Sequence, residues 1–190
     1  MHQTFSKFLC ALFLFALTFS ANALEVKGVK VEDTAQVDGS ALVLNGAGVR
    51  TKLMFKVYVA GLYLAQKQVD ANAVINDTGN KRVSMHFLLE LSAEKLLHGM
   101  NEGFEDNNSK EEMTAIEPQM KQFLDMMNPA KAVKEGDVIV LDLTSAGTQV
   151  SLNSKALGAI EGAAFNQALL RVWLGGNPVD AVLKKAMLGQ

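Results

Sequence analysis

The chain of 190 residues has almost no cysteine, since its one thiol, Cys10, lies in an apolar run near the amino terminus. The remainder of the sequence therefore has no disulfide and no cysteine-based metal site, and an apolar core alone must hold its fold. Its 18 basic residues face 20 acidic ones, so it lacks the basic excess that nucleic-acid binding requires. After Phe19, no apolar run approaches the roughly 20 residues of a membrane-spanning helix.

The first 23 residues have the three parts of a secretory signal peptide. Lys7 and the amino terminus form a short basic region, residues 8–19 are mostly apolar, and Ala21-Asn22-Ala23 has the small-x-small form that signal peptidase cleaves. We expect a mature chain that begins near Leu24, with 17 basic and 20 acidic residues. This pattern predicts a periplasmic protein of a Gram-negative bacterium, without stable membrane insertion once the signal is removed.

The order of the apolar patterns predicts an α+β fold, with a large antiparallel sheet covered by a layer of helices. No internal repeat or linker is visible, so residues 24–190 are expected to form one domain. Alternating or continuous apolar residues predict strands over 26–31, 41–44, 53–64 and 83–91, and a hairpin over 138–152. Capping residues and helical spacing predict helices after Ser92, after Ser109 with an interruption at Pro118, over 160–173 and after Asn177.

The most informative stretch is Leu44-Asn45-Gly46-Ala47-Gly48-Val49-Arg50, which leads into the apolar segment 53–64. We interpret the glycines as a turn that presents Arg50 beside a long strand. An arginine stays charged and offers a planar fork of donors to a carboxylate, although a surface arginine or a structural ion pair would give the same pattern.

Alternate residues of a strand share one face, so Tyr58 should lie with Ala60, Leu62 and Leu64, while Tyr63 faces the other way. The predicted ligand-binding residues are therefore Arg50 and Tyr58 for an anionic head, with Ala60 and Leu62 along the path of an apolar tail.

Patterns for other chemistry are weaker. Gly46-x-Gly48 lacks the third glycine and the following helix of a dinucleotide site. Glu94, His98 and Glu102 could share one helix face, but no partner cluster exists elsewhere, which favours a solvated stripe over a metal site. No serine lies in a Gly-x-Ser-x-Gly elbow. We therefore expect no cofactor, no metal and no catalytic residue.

Residues 44–64 closely resemble the signature of the chalcone isomerase family, which includes plant enzymes and non-catalytic fatty-acid-binding relatives. The resemblance returns over 159–175 and at Asn177-Pro178, so it extends over most of the mature chain. It implies a large antiparallel sheet, a layer of helices and a cleft between them. Within it, Arg50 matches the arginine that holds the substrate phenolate in the plant enzyme.

The other catalytic positions of the plant enzyme do not match this chain. The resemblance puts Tyr58 at the strand threonine, and Ser92, Gly99 and Lys155 near the tyrosine, asparagine and late threonine of the enzyme site. An enolate needs preorganised donors at the carbonyl oxygen, and that set is missing or rebuilt here.

The leading hypothesis is a periplasmic, non-catalytic binding protein for a fatty acid or similar amphiphilic anion. One alternative is an isomerase or intramolecular lyase acting on a chalcone-like or other enone. A second alternative is a structural or interaction domain with a collapsed cleft.

Overall fold

The structure, a computed structural model, describes residues 23–127 and 132–190. The predicted signal peptide up to residue 22 and the predicted helix end at Asn128-Pro129 lie outside these residues. The strands are β1 (Leu24–Val26), β2 (Val29–Val31), β3 (Thr34–Val37), β4 (Ser40–Lys52), β5 (Phe55–Leu64), β6 (Lys81–Phe87), β7 (Leu91–Ser92), β8 (Ala132–Val133), β9 (Val138–Thr144), β10 (Gly147–Leu152) and β11 (Lys155–Glu161). The helices are α1 (Ala71–Asn76), α2 (Ala93–Asn107), α3 (Lys110–Ala115), α4 (Glu117–Met127), α5 (Ala163–Leu174) and α6 (Ala181–Met187).

The predicted α+β class is confirmed. Seven strands form one antiparallel sheet in the order β11-β10-β9-β6-β5-β4-β3, with the helices packed on it. Strand β5 lies in the interior of this sheet, as its long apolar run predicts, and every residue from Val57 to Leu64 is buried. A strand that is covered on both faces reads as a continuous apolar run rather than an alternating one.

Two apolar clusters lie on the two faces of the sheet. The larger cluster joins Tyr58, Leu62 and Phe87 of the sheet to Phe104 of α2 and Trp173 of α5. The smaller cluster, on the opposite face, includes Val59 and Tyr63 of β5 and is covered by the β1–β2 hairpin. Tyr63 therefore points away from Tyr58, as the strand period predicts. Within the described residues, no helix combines the length and apolarity needed to cross a membrane.

Several local signals act as predicted. Ser92 caps α2 by accepting a hydrogen bond from the Lys95 N–H, and Ser109 forms a reciprocal capping box with Glu112 at the start of α3. Pro118 lies in the first turn of α4, so the chain restarts its helix there, because proline needs no N–H partner at that point.

The interpretation of Gly46 and Gly48 as a turn is wrong, because both residues lie inside strand β4. Helix α6 packs against them so closely that a Cβ atom at Gly46 would lie 2.0 Å from the carbonyl oxygen of Ala186. A Cβ at Gly48 would lie 2.6 Å from the Cβ of Ala186. The glycines are therefore required for close approach of a helix and not for chain reversal. Arg50 consequently lies within a strand and not before one.

Other boundaries also differ from the sequence predictions. The segment 26–31 is a hairpin and not one strand, since Lys27 and Gly28 adopt positive φ and reverse the chain. Ile160 belongs to β11, and helix α5 begins only after Gly162, whose φ is 111°. The last helix is capped by Asp180 and not by Asn177.

Candidate functional site

Arg50 and Tyr58 lie directly opposite each other on the paired strands β4 and β5. The register shifts immediately beyond this pair, because Thr51 pairs with Lys56 and Val57 is left as an extra residue. Such a bulge redirects side chains locally. Val57 accordingly joins the same core cluster as Tyr58, its sequence neighbour, and also lines a cavity beside Arg50.

The first turn of α6 fixes the end of β4 at this site. The Thr51 N–H donates to Asp180 Oδ2 at 2.8 Å, while Asp180 Oδ1 accepts from the N–H groups of Val182 and Leu183. One carboxylate therefore caps the helix and holds the backbone next to Arg50. The close packing of α6 on Gly46 and Gly48 also holds strand β4 in place.

Tyr58 forms a rigid support behind the arginine. Trp173 Nε1 donates a hydrogen bond to the phenol oxygen at 2.9 Å, and the ring packs edge-on against Phe87 with 5.6 Å between centroids. The Arg50 Cζ atom lies 5.5 Å from the centre of the Tyr58 ring, within cation–π range. Burial raises the pKa of the Tyr58 phenol, although the Arg50 charge and the Trp173 hydrogen bond oppose the shift. The phenol therefore stays protonated at neutral pH.

The guanidinium of Arg50 contacts the Tyr58 ring but has no carboxylate partner among the described residues. The residue is only 8% exposed, and its Nε atom is buried with no hydrogen-bond acceptor among the described residues. The other two arginines of the chain both pair with carboxylates, Arg82 with Asp142 and Arg171 with Glu112. A buried charge without a counter-ion is costly for a protein, so an anion bound beside Arg50 would be stabilised.

A cavity of about 500 Å³ opens beside Arg50, within the range of small-molecule sites. It lies between the β4–β5 hairpin, the segment 89–91 and helix α2. Its walls are mostly apolar, and several charged side chains lie at its exposed edge. The lining residues are Arg50, Lys52, Leu53, Phe55, Val57, Leu89, Glu90, Leu91, Lys95, His98 and Gly99. A Cβ atom at Gly99 would lie 3.6 Å from Arg50 Nη2, so the guanidinium sits directly under α2.

The structure brings together only part of the predicted site. Arg50 lines the cavity, whereas Tyr58 contacts Arg50 and does not itself line the cavity. Ala60 and Leu62 are completely buried in the larger core cluster and do not line this cavity. Their role along a ligand tail stays a prediction. The sequence reasoning missed Val57, which only the bulge turns inward, and the contact of Trp173 with Tyr58.

The polar stripe on α2 makes side-chain contacts with its own residues and with β4. His98 Nε2 lies 3.2 Å from Glu102 Oε1, and Lys52 Nζ lies 3.5 Å from the other oxygen of the same carboxylate. Residues 23–127 and 132–190 contain no group of three side chains arranged to hold a metal ion.

Comparisons with known proteins agree with this architecture. The sequence model of the chalcone isomerase-like family matches residues 23–189. The chain therefore belongs to the chalcone isomerase-like family. Among solved structures, it is similar to a fatty-acid binding protein of Arabidopsis thaliana, with a TM-score of 0.66 and 12% sequence identity. The similarity covers 88% of this chain and 96% of the plant protein, and at this identity it establishes the shared fold. A comparison with curated proteins finds no match.

Proposed function

We propose that the protein is a periplasmic, non-catalytic binding protein for a fatty acid or a similar amphiphilic anion. The observation that carries this proposal is the Arg50 guanidinium, which has no carboxylate partner among the described residues and lies in the wall of a mostly apolar cavity. A carboxylate would supply the missing partner of the arginine, and the apolar walls would accept the tail. The fold shared with a plant protein described as fatty-acid binding supports the same class of ligand.

The electrostatics favour an anion over a neutral ligand. Arginine cannot lose its proton at accessible pH, so a carboxylate beside it gains a charge-assisted interaction that a neutral ligand lacks. The Tyr58 phenol supports the guanidinium from behind and keeps its own proton. The carboxylate of a ligand would therefore bind mainly to Arg50. A hydrogen bond from the Tyr58 hydroxyl to the same carboxylate is also part of the proposal.

The enzymatic alternative gains no support from the site. Near the positions that the family resemblance assigns to carbonyl-polarising groups, Ser92 uses its hydroxyl as a helix cap and Gly99 has no side chain. Lys155 is exposed on β11 and does not line the cavity. The alternative of a collapsed cleft is disfavoured by the open volume beside Arg50.

Titration with saturated fatty acids of increasing length tests the proposal. Each methylene buried in the apolar cavity contributes about 0.8 kcal/mol, so the affinity should rise about fourfold per methylene until the cavity is full. Methyl esters of the same acids, which lack the anionic head, should bind much more weakly. Equal affinity for acids and esters, or saturable acceleration of chalcone ring closure by the same preparation, would contradict the proposal.

The proposed location has its own test. The exported protein should begin at or near Leu24, because signal peptidase cleaves after the small-x-small sequence that ends at Ala23. Amino-terminal sequencing of the protein from the periplasmic fraction measures this directly. An exported chain that retains Met1 would contradict the prediction, and so would recovery of the protein only from the cytoplasm.

A further inference from the structure

The turn between β4 and β5 exposes three consecutive apolar side chains. Leu53 is 91% exposed, Met54 84% and Phe55 59%. Lys52 and Lys56 flank this group in the sequence, and both are exposed. We refer to residues 52–56 as the tip. A contiguous exposed apolar group of this kind marks an interaction surface more often than isolated apolar residues do.

The backbone of the turn does not require apolar residues. Lys52 pairs with Phe55, so Leu53 and Met54 form a two-residue hairpin turn, in which Leu53 adopts a φ of 59°. Glycine is the usual residue where the first turn position has positive φ, since a side chain is strained there. The other described residues with positive φ in hairpin turns are polar or glycine: Lys27, Gly28, Asp38, Gly39, Asn153 and Ser154. The turn geometry alone therefore does not explain a leucine at position 53.

The tip is also part of the cavity. Lys52, Leu53 and Phe55 line the same space as Arg50. The side chains at the edge of the cavity thus continue directly into the exposed apolar group. Acidic groups lie nearby as well, since Lys52 faces Glu102 at 3.5 Å and Glu90 lines the cavity, but Lys56 has no carboxylate within 4 Å among the described residues.

We propose that the tip docks reversibly on an anionic lipid bilayer. Leu53, Met54 and Phe55 would enter the boundary between headgroups and acyl chains, with Lys52 and Lys56 against the phosphates. A protruding two-residue turn offers too little area for a stable protein interface, whereas a few apolar side chains flanked by cations suffice for interfacial binding.

Docking in this way would bring the cavity to the bilayer surface. An amphiphile could then move between the membrane and Arg50 without its tail crossing water. This transfer step rests on the proposed function, but the docking itself does not require that the cavity binds a ligand.

Vesicle flotation of the exported protein, as processed by the cell, tests the proposal. Wild type should float with phosphatidylcholine vesicles that contain phosphatidylglycerol, and more weakly with phosphatidylcholine alone. Leu53→Gly combined with Met54→Asn supplies residues suited to this turn, so the fold should be kept while vesicle affinity falls about tenfold or more. Lys52→Gln combined with Lys56→Gln should remove the preference for phosphatidylglycerol. Val69→Gln is the matched control, because Val69 is 59% exposed, as Phe55 is, but lies beyond the opposite end of β5, and it should float like wild type.

A turn variant that melts like wild type and still floats equally well would overturn the proposal. The proposal would also be overturned if the wild-type protein did not bind vesicles but formed a dimer that the turn substitutions abolish. Failure of ligand binding is distinguished by Arg50→Gln, which should lose fatty-acid affinity and keep vesicle binding. If fatty acids bind normally in solution and no vesicle binding is seen, docking is excluded and the proposed ligand function stands.

Discussion

Replacing Arg50 with glutamine should weaken fatty-acid binding by about tenfold to more than a hundredfold. Hydrogen bonds to a charged group contribute about 1.5–3 kcal/mol, and each 1.4 kcal/mol changes affinity tenfold. The effect should be large because the cavity places the head beside a guanidinium that has no carboxylate partner among the described residues. Isothermal titration of wild type and variant with the same fatty acid measures the difference.

Two controls distinguish a specific loss of ligand binding from a general effect on charge or stability. Lys95→Gln removes an exposed cation that also lines the cavity, and it should change affinity by less than about fivefold, since exposed ion pairs contribute little. The thermal midpoint of Arg50→Gln should equal or exceed that of wild type, because the substitution removes an uncompensated buried charge. A lower midpoint with unchanged affinity would make Arg50 a structural residue.

Replacing Gly46 with alanine should destabilise the fold strongly. The added methyl would lie 2.0 Å from the Ala186 carbonyl oxygen and 3.0 Å from the backbone of Met187 and Gly189, so helix α6 must move. Overpacking of this kind costs about 1–3 kcal/mol or more, and each kcal/mol lowers the midpoint of a chain of this size by about 2–4 °C. We expect the thermal midpoint to fall by about 6 °C or more.

The matched control for this substitution is Gly176→Ala. Gly176 is exposed, and an added Cβ would meet no heavy atom within 4 Å. Its midpoint should stay close to that of wild type. Comparable melting of the two alanine variants would mean that α6 does not hold β4 in the way that the structure describes.

The sequence selected Arg50 for a partly wrong reason. Arg50 and Tyr58 could be selected because a lone cation and a tyrosine accompany a long apolar strand, and their adjacency follows from strand pairing. The glycines before Arg50 were misread because a turn and a close helix contact both require a residue without a side chain. Only the position of α6, more than 130 residues further along the chain, distinguishes the two.

The path of the tail could not be derived from the strand period. Alternation puts Ala60 and Leu62 on the same face as Tyr58, and both do lie in the same core cluster. The cavity, however, extends from Arg50 toward Phe55 and Val57, because the bulge turns Val57 inward and α2 covers the space. A bulge arises from the pairing of two strands, so the sequence of β5 alone does not reveal it. The fold class was easier to predict, since it depends on the order of many apolar segments and tolerates errors at their ends.

Mass spectrometry of the intact protein, purified without detergent from the cells that produce it, tests the central claim most directly. The account predicts a bound species with the mass of a fatty acid or a similar amphiphilic anion, which solvent extraction releases and which is absent from Arg50→Gln prepared in the same way. A folded wild-type protein that carries no such species, and acquires none when fatty acid is added in excess, would contradict the account.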